Sequence, residues 1–218
     1  MEQTIIFDYH FLSGIGCWEG GRYNKQIDMY ITIENDEGNQ EKLIGKVQFQ
    51  IIYVDQAMEA GYDLYEIFDQ KEHTFKLGQD IFDFEVDDIQ EDIKEYYDHD
   101  FLQSNICILE RIEILSEFRC KKLGAKAIKD IIFHFGSSCG LFVGQVFPLQ
   151  LEPADNDENV WRKSLELNKF SSDEDISFIN LKNYYLSMGF DAIPKYKNLI
   201  FLNPLRRNDI MDAINLED

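Results

Sequence analysis

Basic side chains gather in one stretch of an otherwise acidic chain. Residues 119–129 contain no acid and five basic residues, which are Arg119, Lys121, Lys122, Lys126 and Lys129. An apolar run predicts a strand over 106–115 before this stretch, and helical spacing predicts a helix that begins near Leu123. A helix N-terminus offers free backbone N–H groups and the positive end of the helix dipole.

This junction is therefore predicted to bind an anion, with phosphate as its expected ligand. Gly124 and Ala125 carry little side chain and leave the backbone approachable. The other residues carry a net charge of −25, five units beyond the −20 of the whole chain. The alternative interpretation is a solvated helix face that happens to be basic.

Two carboxylates on the predicted strand are candidates for a general base. Glu110 interrupts an apolar face formed by Ile106, Ile108, Ile112 and Ile114. Burial among isoleucines should raise the pKa of this carboxyl, which suits a base near neutral pH. Alternatively, Glu110 pairs with a core Tyr or Arg, or a β-bulge turns it outward. Glu113 is expected to point to the opposite face and could serve instead.

The segment from Ile112 to Gly124 resembles the acyl-CoA-binding motif of the GNAT superfamily of N-acyltransferases. That motif is a strand, a turn, and Arg/Gln-x-x-Gly-x-Gly/Ala at the start of a helix. Arg119 and Gly124 match its first and last positions, whereas Lys122 replaces the middle glycine. Cys120 replaces the glycine often found after the arginine.

The resemblance implies a binding role for each part of this segment. The strand backbone from Ile112 to Ile114 would hold the pantetheine arm of coenzyme A. The turn and helix start would hold its phosphates through Arg119, Lys121, Lys122, Leu123, Gly124 and Ala125. Side chains at positions 120 and 122 could crowd the pyrophosphate, or Lys122 could contact it.

A second similarity lies on a later predicted helix. Residues 181–190 resemble the family's helix that ends in Tyr-x-x-x-Gly-Phe. Tyr185 matches the tyrosine that often protonates the leaving CoA thiolate. Tyr184 is adjacent, so at least one of the two is expected to pack in the core. Phe178 replaces an asparagine that the family often places near CoA.

The resemblance, over residues 106–203, implies an acyl-CoA-dependent N-acyltransferase. Its co-substrate would be acetyl-CoA or another acyl-CoA, and its acceptor a small-molecule or peptide amine. Two alternatives stay open: a non-catalytic binding module of the same fold, and an acidic inhibitor or decoy. A homodimer is one option, because the sequence does not determine the oligomeric state.

The predicted fold class is α/β (α+β), with a mixed, mostly antiparallel central sheet flanked by helices. One domain over 1–218 is expected: an N-terminal hairpin and helices over 1–105, an acyl-CoA-binding core over 106–203, and an acidic tail over 204–218. Strands are predicted at 27–34, 43–54, 106–115, 141–147 and 198–203, with helices at 56–70, 86–97, 123–135 and 177–188. The strands at 106–115 and 141–147 should run parallel because a helix connects them. The remaining predictions are a loop at 13–21, a turn at 35–39 and a polar excursion at 152–176.

Composition narrows the function classes further. A net charge of −20 argues against binding a nucleic-acid backbone. No apolar run approaches the ~20 residues of a membrane span, and the start lacks the basic region of a signal peptide. The four cysteines form no CxxC pair and the histidines lack ligand spacing, so a reduced cytoplasmic chain without metal is expected. Acidic stretches at 83–100 and 152–176 suggest a cleft that favours cationic amines.

Overall fold

The computed structural model describes residues 4–13, 19–34, 41–153 and 160–216. Its strands are β1 (Thr4–His10), β2 (Asn24–Glu34), β3 (Glu41–Ile52), β4 (Phe82–Asp83), β5 (Asp88–Ile89), β6 (Ile106–Ile114), β7 (Leu141–Gln145) and β8 (Leu199–Leu202). Its α-helices are α1 (Val54–Glu59), α2 (Leu64–Phe68), α3 (Glu72–Ile81), α4 (Glu91–Tyr96), α5 (Leu123–Phe135), α6 (Val160–Ser164), α7 (Glu174–Leu186) and α8 (Asp209–Asp212).

Six strands form one mixed sheet in the order β1-β2-β3-β6-β7-β8. The β6–β7 pair is parallel, and the other pairs are antiparallel. The predicted hairpin of β2 and β3 and the predicted parallel pairing across α5 are both confirmed. The chain therefore has the predicted fold class, a mostly antiparallel sheet flanked by helices.

The N-terminal half departs from the predicted elements in three places. The helix predicted over 56–70 is two short helices, which are separated at Gly61 with a φ of +76°. The helix predicted over 86–97 begins only at Glu91, because β4 and β5 form a short hairpin before it. Strand β1 and helix α3 were not predicted. The predicted turn at 35–39 and parts of the predicted loop and excursion (14–18 and 154–159) lie outside the described residues.

An apolar layer covers each face of the sheet. One layer packs α5 and α7 against β2 and β3, and the other packs α1 to α4 against β6, β7 and β8. Both layers contain fully buried aromatic rings, among them Phe49 in the first and Phe68 in the second. No helix among the described residues is long and apolar enough to cross a membrane.

A β-bulge in β6 reverses the direction of its side chains. Gln48 pairs with Arg111 and the next residue, Phe49, pairs with Leu109, so Glu110 is an extra residue. Ahead of the bulge, Ile106 and Ile108 join the α1–α4 layer; after it, Ile112 and Ile114 pack toward α5. The prediction of one apolar face for these four isoleucines is wrong, because the inserted residue shifts the alternation.

Candidate functional site

The two parallel strands separate halfway along β6. Their pairing runs from Ile106↔Leu141 to Leu109↔Gly144, and β7 ends one residue later at Gln145. Strand β6 continues to Ile114 and stays paired with β3. The bulge at Glu110 falls on the first position past the last β7 pair. Ile112 and Ile114 thus lie beside an opening between the strands, where an extended ligand could pair with the free edge of β6.

The turn after β6 adopts an unusual backbone for its residue types. Cys120 and Lys122 have φ values of 61° and 57°, in the left-handed region that favours glycine. These are the two positions at which the resembled motif carries glycine and this sequence does not. Lys122 is followed directly by the right-handed residues of α5. A left-handed residue next to a right-handed one turns successive N–H groups toward a common point, an arrangement that binds anions.

The N-terminus of α5 completes this anion-binding geometry. Lys122 is its N-cap, and no side chain of the described residues caps the helix. The first intrahelical bond runs from the Lys126 N–H to the Lys122 carbonyl at 2.9 Å. The N–H groups of Leu123, Gly124 and Ala125 precede that bond and point out of the helix end.

The five basic residues of the stretch divide between the turn and other surfaces. Lys121 and Lys122 are exposed at the turn, whereas Lys126 is buried along α5. Lys129 donates to the carbonyl of Asp212 at 3.1 Å, far along the chain. Of the four lysines in this stretch, only Lys121 and Lys122 therefore have side chains exposed at the turn.

Arg119 faces inward and connects the turn to the excursion after β7. Its Nε donates to the Ile114 carbonyl at 3.1 Å, and its Nη2 donates to the carbonyl of Leu165. The guanidinium lies 4.5 Å from the centre of the Phe170 ring. These contacts give Arg119 a structural role at the end of β6; a phosphate contact stays a prediction.

The two adjacent tyrosines of α7 occupy different environments. A Cβ added at Gly124 would lie 2.3 Å from the Tyr184 hydroxyl oxygen and 3.7 Å from Ile112 Cγ2. The Tyr184 hydroxyl therefore sits where β6 and α5 meet. Burial, and then the charge of Cys120 when ionised, raise the pKa of Tyr184.

Tyr185 lies in the α5–α7 core. Its ring centre is 5.6 Å from that of Phe190, and 8% of its surface is exposed. Burial, with a smaller contribution from Tyr184, raises the Tyr185 pKa far above its ordinary value. The role of Tyr185 as the acid stays a prediction, and the position of its neighbour makes Tyr184 a second candidate.

Glu110 is surrounded by hydrogen-bond donors. His73 Nε2 lies 2.8 Å from its Oε1, Gln26 donates to its Oε2 at 2.9 Å, and Gln50 also donates to it. Lys71 Nζ lies 3.3 Å away. Burial alone would raise the pKa of Glu110, but the bonds from His73, Gln26 and Gln50 and the charge of Lys71 lower it below 4.5. The predicted rise is wrong because the carboxylate is paired.

Glu113 takes part in a separate network. Arg111 Nη1 donates to it at 3.0 Å and Trp161 Nε1 donates to it at 2.6 Å. Since Ile112 and Ile114 pack toward α5, Glu113 faces the opposite side of the sheet, as Glu110 does. The prediction that the two carboxylates point to opposite faces is wrong, because the bulge restarts the alternation between them.

A cavity of about 680 Å³ lies beside His73, the partner of Glu110, and beside Gln145 at the end of β7. It is bordered by α3 from Glu72 to Asp80, by Gln145 and by residues 195–199. Its lining contains three lysines and two acids, which are Lys76, Lys195, Lys197, Glu72 and Asp80. The acidic excess of the chain is therefore not found in this lining.

Sequence reasoning missed His73 as a member of this site. The residue lies 37 positions from Glu110 in the chain, so no local motif joins them. No group of three or more His, Cys, Asp or Glu within the described ranges could hold a metal ion.

Comparisons with known proteins give little support for assigning the chain to a family. No protein-family model matches the chain, and no curated protein matches it. Among solved structures, the chain is similar to the crystal structure of arylalkylamine N-acetyltransferase 2 from Aedes aegypti, with 16% identity and a TM-score of 0.30. The similarity covers 53% of this chain and 49% of that one, so it spans about half the length of the matched protein.

Proposed function

We propose that this protein is an acyl-CoA-dependent N-acyltransferase, which transfers an acyl group, most simply acetyl, to a primary amine. The observation that carries the proposal is the left-handed backbone of Cys120 and Lys122. Both residues stand where the resembled motif carries glycine, the residue type that adopts this conformation without steric cost. A shape retained at an energetic cost points to a ligand that needs it.

The parts of the site then have distinct tasks. The turn and the α5 N-terminus bind the CoA phosphates, with Lys121 and Lys122 adding charge. The edge of β6 from Ile112 to Ile114, where the Ile114 carbonyl already accepts from Arg119, pairs with the pantetheine arm and brings the thioester to the strand opening. The acceptor is a small-molecule amine or a lysine of a peptide.

Acyl transfer requires a neutral amine, a stabilised carbonyl oxygen and a proton for the leaving thiolate. The amine nitrogen forms a bond to the carbonyl carbon, the C–S bond breaks, and its electron pair stays on sulfur. Tyr184, at the junction of β6 and α5, or Tyr185, at the family position, supplies the proton to that sulfur. The raised pKa of both hydroxyls keeps them protonated at neutral pH.

A non-catalytic acyl-CoA-binding module is the second candidate. It is favoured by the ion-pair network beside the strand opening, in which Glu152 joins Arg111 and Arg162. Together with the hydrogen bond from Trp161 to Glu113, this network holds the excursion against β6. An excursion held in this way would limit access to the thioester.

Two measurements separate these candidates. Calorimetric titration with CoA should show binding that weakens as salt rises and in Lys122→Glu, because the phosphates are held by charge and helix dipole. Release of free CoA thiol from acetyl-CoA, measured with a panel of primary amines, then reports transfer. Binding with turnover supports the enzyme, and binding without turnover supports the module. Absence of binding at millimolar CoA would overturn both.

A further inference from the structure

We propose that His73, held by Glu110, is the general base of this acyl transfer, and that the amine acceptor reaches it through the cavity between α3 and residues 195–199. This inference rests on the proposed function and names the acceptor half of the same site. It comes from a contact that joins α3 to the bulge of β6.

The His73–Glu110 pair lies at the strand opening. Glu110 is the first β6 residue past the last β7 pair, and Gln145 is the first β7 residue past it. His73 and Gln145 border the same cavity of about 680 Å³. The imidazole therefore lies on a cavity that extends to the strand opening, where the thioester carbonyl is placed by the proposed function.

The protonation state of the pair follows from the charge on Glu110. The lowered pKa keeps Glu110 ionised at neutral pH, so it can only accept hydrogen bonds. The His73 nitrogen that faces it at 2.8 Å, Nε2, must therefore carry the proton. Nδ1 of the neutral ring is left with a lone pair that can accept a proton.

This arrangement divides the roles between the two residues. A carboxylate that is well supplied with donors is a weak base, but it fixes the tautomer of the imidazole and stabilises the imidazolium ion. Histidine is the side chain whose ordinary pKa lies closest to neutral pH. Glu110 is thus a positioning residue. His73, whose side chain is 52% exposed, is the group that contacts the amine.

The proton balance follows from these roles. Nδ1 of His73 removes one proton from the acceptor ammonium, and the neutral amine attacks the thioester carbonyl carbon. As the C–N bond forms and the C–S bond breaks, the α7 tyrosine gives its hydroxyl proton to the sulfur. The tyrosine then regains a proton from the nitrogen, which loses its second one. The products are an amide and a free thiol, and His73 returns its proton to solvent.

Several charged groups surround the imidazole. Lys71 Nζ lies 3.3 Å from the same Glu110 oxygen that His73 contacts. Glu72 and Lys76, which are 2.5 Å apart, flank His73 on α3. Asp80 of α3, and Lys195 and Lys197 from the opposite wall, border the cavity. Lys195 is itself paired with Asp92 at 2.7 Å. Because charges of both signs surround this pair, the net negative charge of the whole chain should have little influence on the rate.

The test is acetyl transfer to the amine that the panel of primary amines identifies, followed by release of CoA thiol. His73→Gln should lower kcat by about 10²–10⁴-fold, with little change in CoA binding, and should change the shape of the pH–rate profile. Added imidazole should restore part of the rate to His73→Ala. The matched control is His99→Gln, since His99 is similarly exposed and lies 3.6 Å from Glu91.

The outcomes distinguish this inference from the proposed function. A wild-type chain that transfers no acyl group overturns the proposed function, and the inference with it. A wild-type chain that is active, while His73→Gln keeps its rate and its pH profile, overturns the inference alone. Equal rate losses in His73→Gln and His99→Gln, or loss of CoA binding in His73→Gln, would also overturn it.

Discussion

Replacing Lys122 with glycine should stabilise the protein, although glycine usually destabilises folded chains. Lys122 has a φ of 57°, in the left-handed region. That conformation costs a non-glycine residue about 1–2 kcal/mol. Glycine loses about 0.5–1 kcal/mol through its larger backbone entropy in the unfolded state. The balance favours glycine by about 0.5–1 kcal/mol, which raises the Tm of a chain of this size by about 1–4 °C.

Lys121 offers a matched control one residue away. It is also an exposed lysine, but it is not among the residues with positive φ. Lys121→Gly relieves no left-handed strain and should lower the Tm by about 1–4 °C through backbone entropy. Loss of the contact between the Lys121 ammonium and the Phe118 ring, 4.9 Å away, adds to the fall. Lys122→Gln removes the charge but keeps the side chain, so it measures the part of the effect that belongs to charge.

The assay is thermal unfolding of the four proteins in one buffer, followed by circular dichroism. The prediction is a rise for Lys122→Gly, a fall for Lys121→Gly, and a shift for Lys122→Gln smaller than that for Lys122→Gly. A fall of similar size for both glycine variants would refute the left-handed turn, and with it the main support for the phosphate site.

Three further predictions concern the surrounding side chains. Tyr184→Phe should lower kcat by about 10–100-fold if its hydroxyl protonates the thiolate. A loss of activity in Tyr185→Phe but not in Tyr184→Phe would instead identify Tyr185 as the acid. Gly124→Ala should displace the Tyr184 hydroxyl by about 1 Å, because its distance of 2.3 Å from the added Cβ must grow to an ordinary contact of at least 3.4 Å. In a Tyr184→Phe background, which lacks the hydroxyl, Gly124→Ala should have no further effect on activity. Glu110→Gln should cost roughly 1–3 kcal/mol in urea unfolding at neutral pH. Because the folded pKa is lowered, that difference is present above about pH 4.5 and shrinks as the pH falls through the folded value.

The strand–turn–helix–strand unit could be predicted from the sequence because its signals are local. The apolar run of β6, the helical spacing of α5 and the turn between them lie within thirty-odd consecutive residues, and the predicted helix bounds of 123–135 match α5. The parallel pairing followed from the need for a crossover. Tyr184 and Tyr185 could be named as a pair, but one residue of register decides which of them faces the site.

The parts that could not be predicted depend on contacts between distant segments. The bulge at Glu110 is hidden in the sequence, because apolar residues occupy both phases of β6 before it and no alternation marks the extra residue. The pKa of Glu110 depends on Gln26, Gln50 and Lys71, which come from other elements. Arg119 faces inward because Leu165 and Phe170 of the excursion receive it, and nothing near Arg119 in the chain indicates that.

The most direct test of the CoA site is a titration of the ¹⁵N-labelled protein with CoA, followed through its backbone amide signals. The largest shifts should fall on residues 120–125, whose N–H groups form the turn and the start of α5, with smaller ones on Ile112 and Ile114 of β6. Amides of α4, on the other face of the sheet, should move little. Shifts concentrated elsewhere, or none at millimolar CoA, would contradict the assignment of this turn as the phosphate site of an acyltransferase.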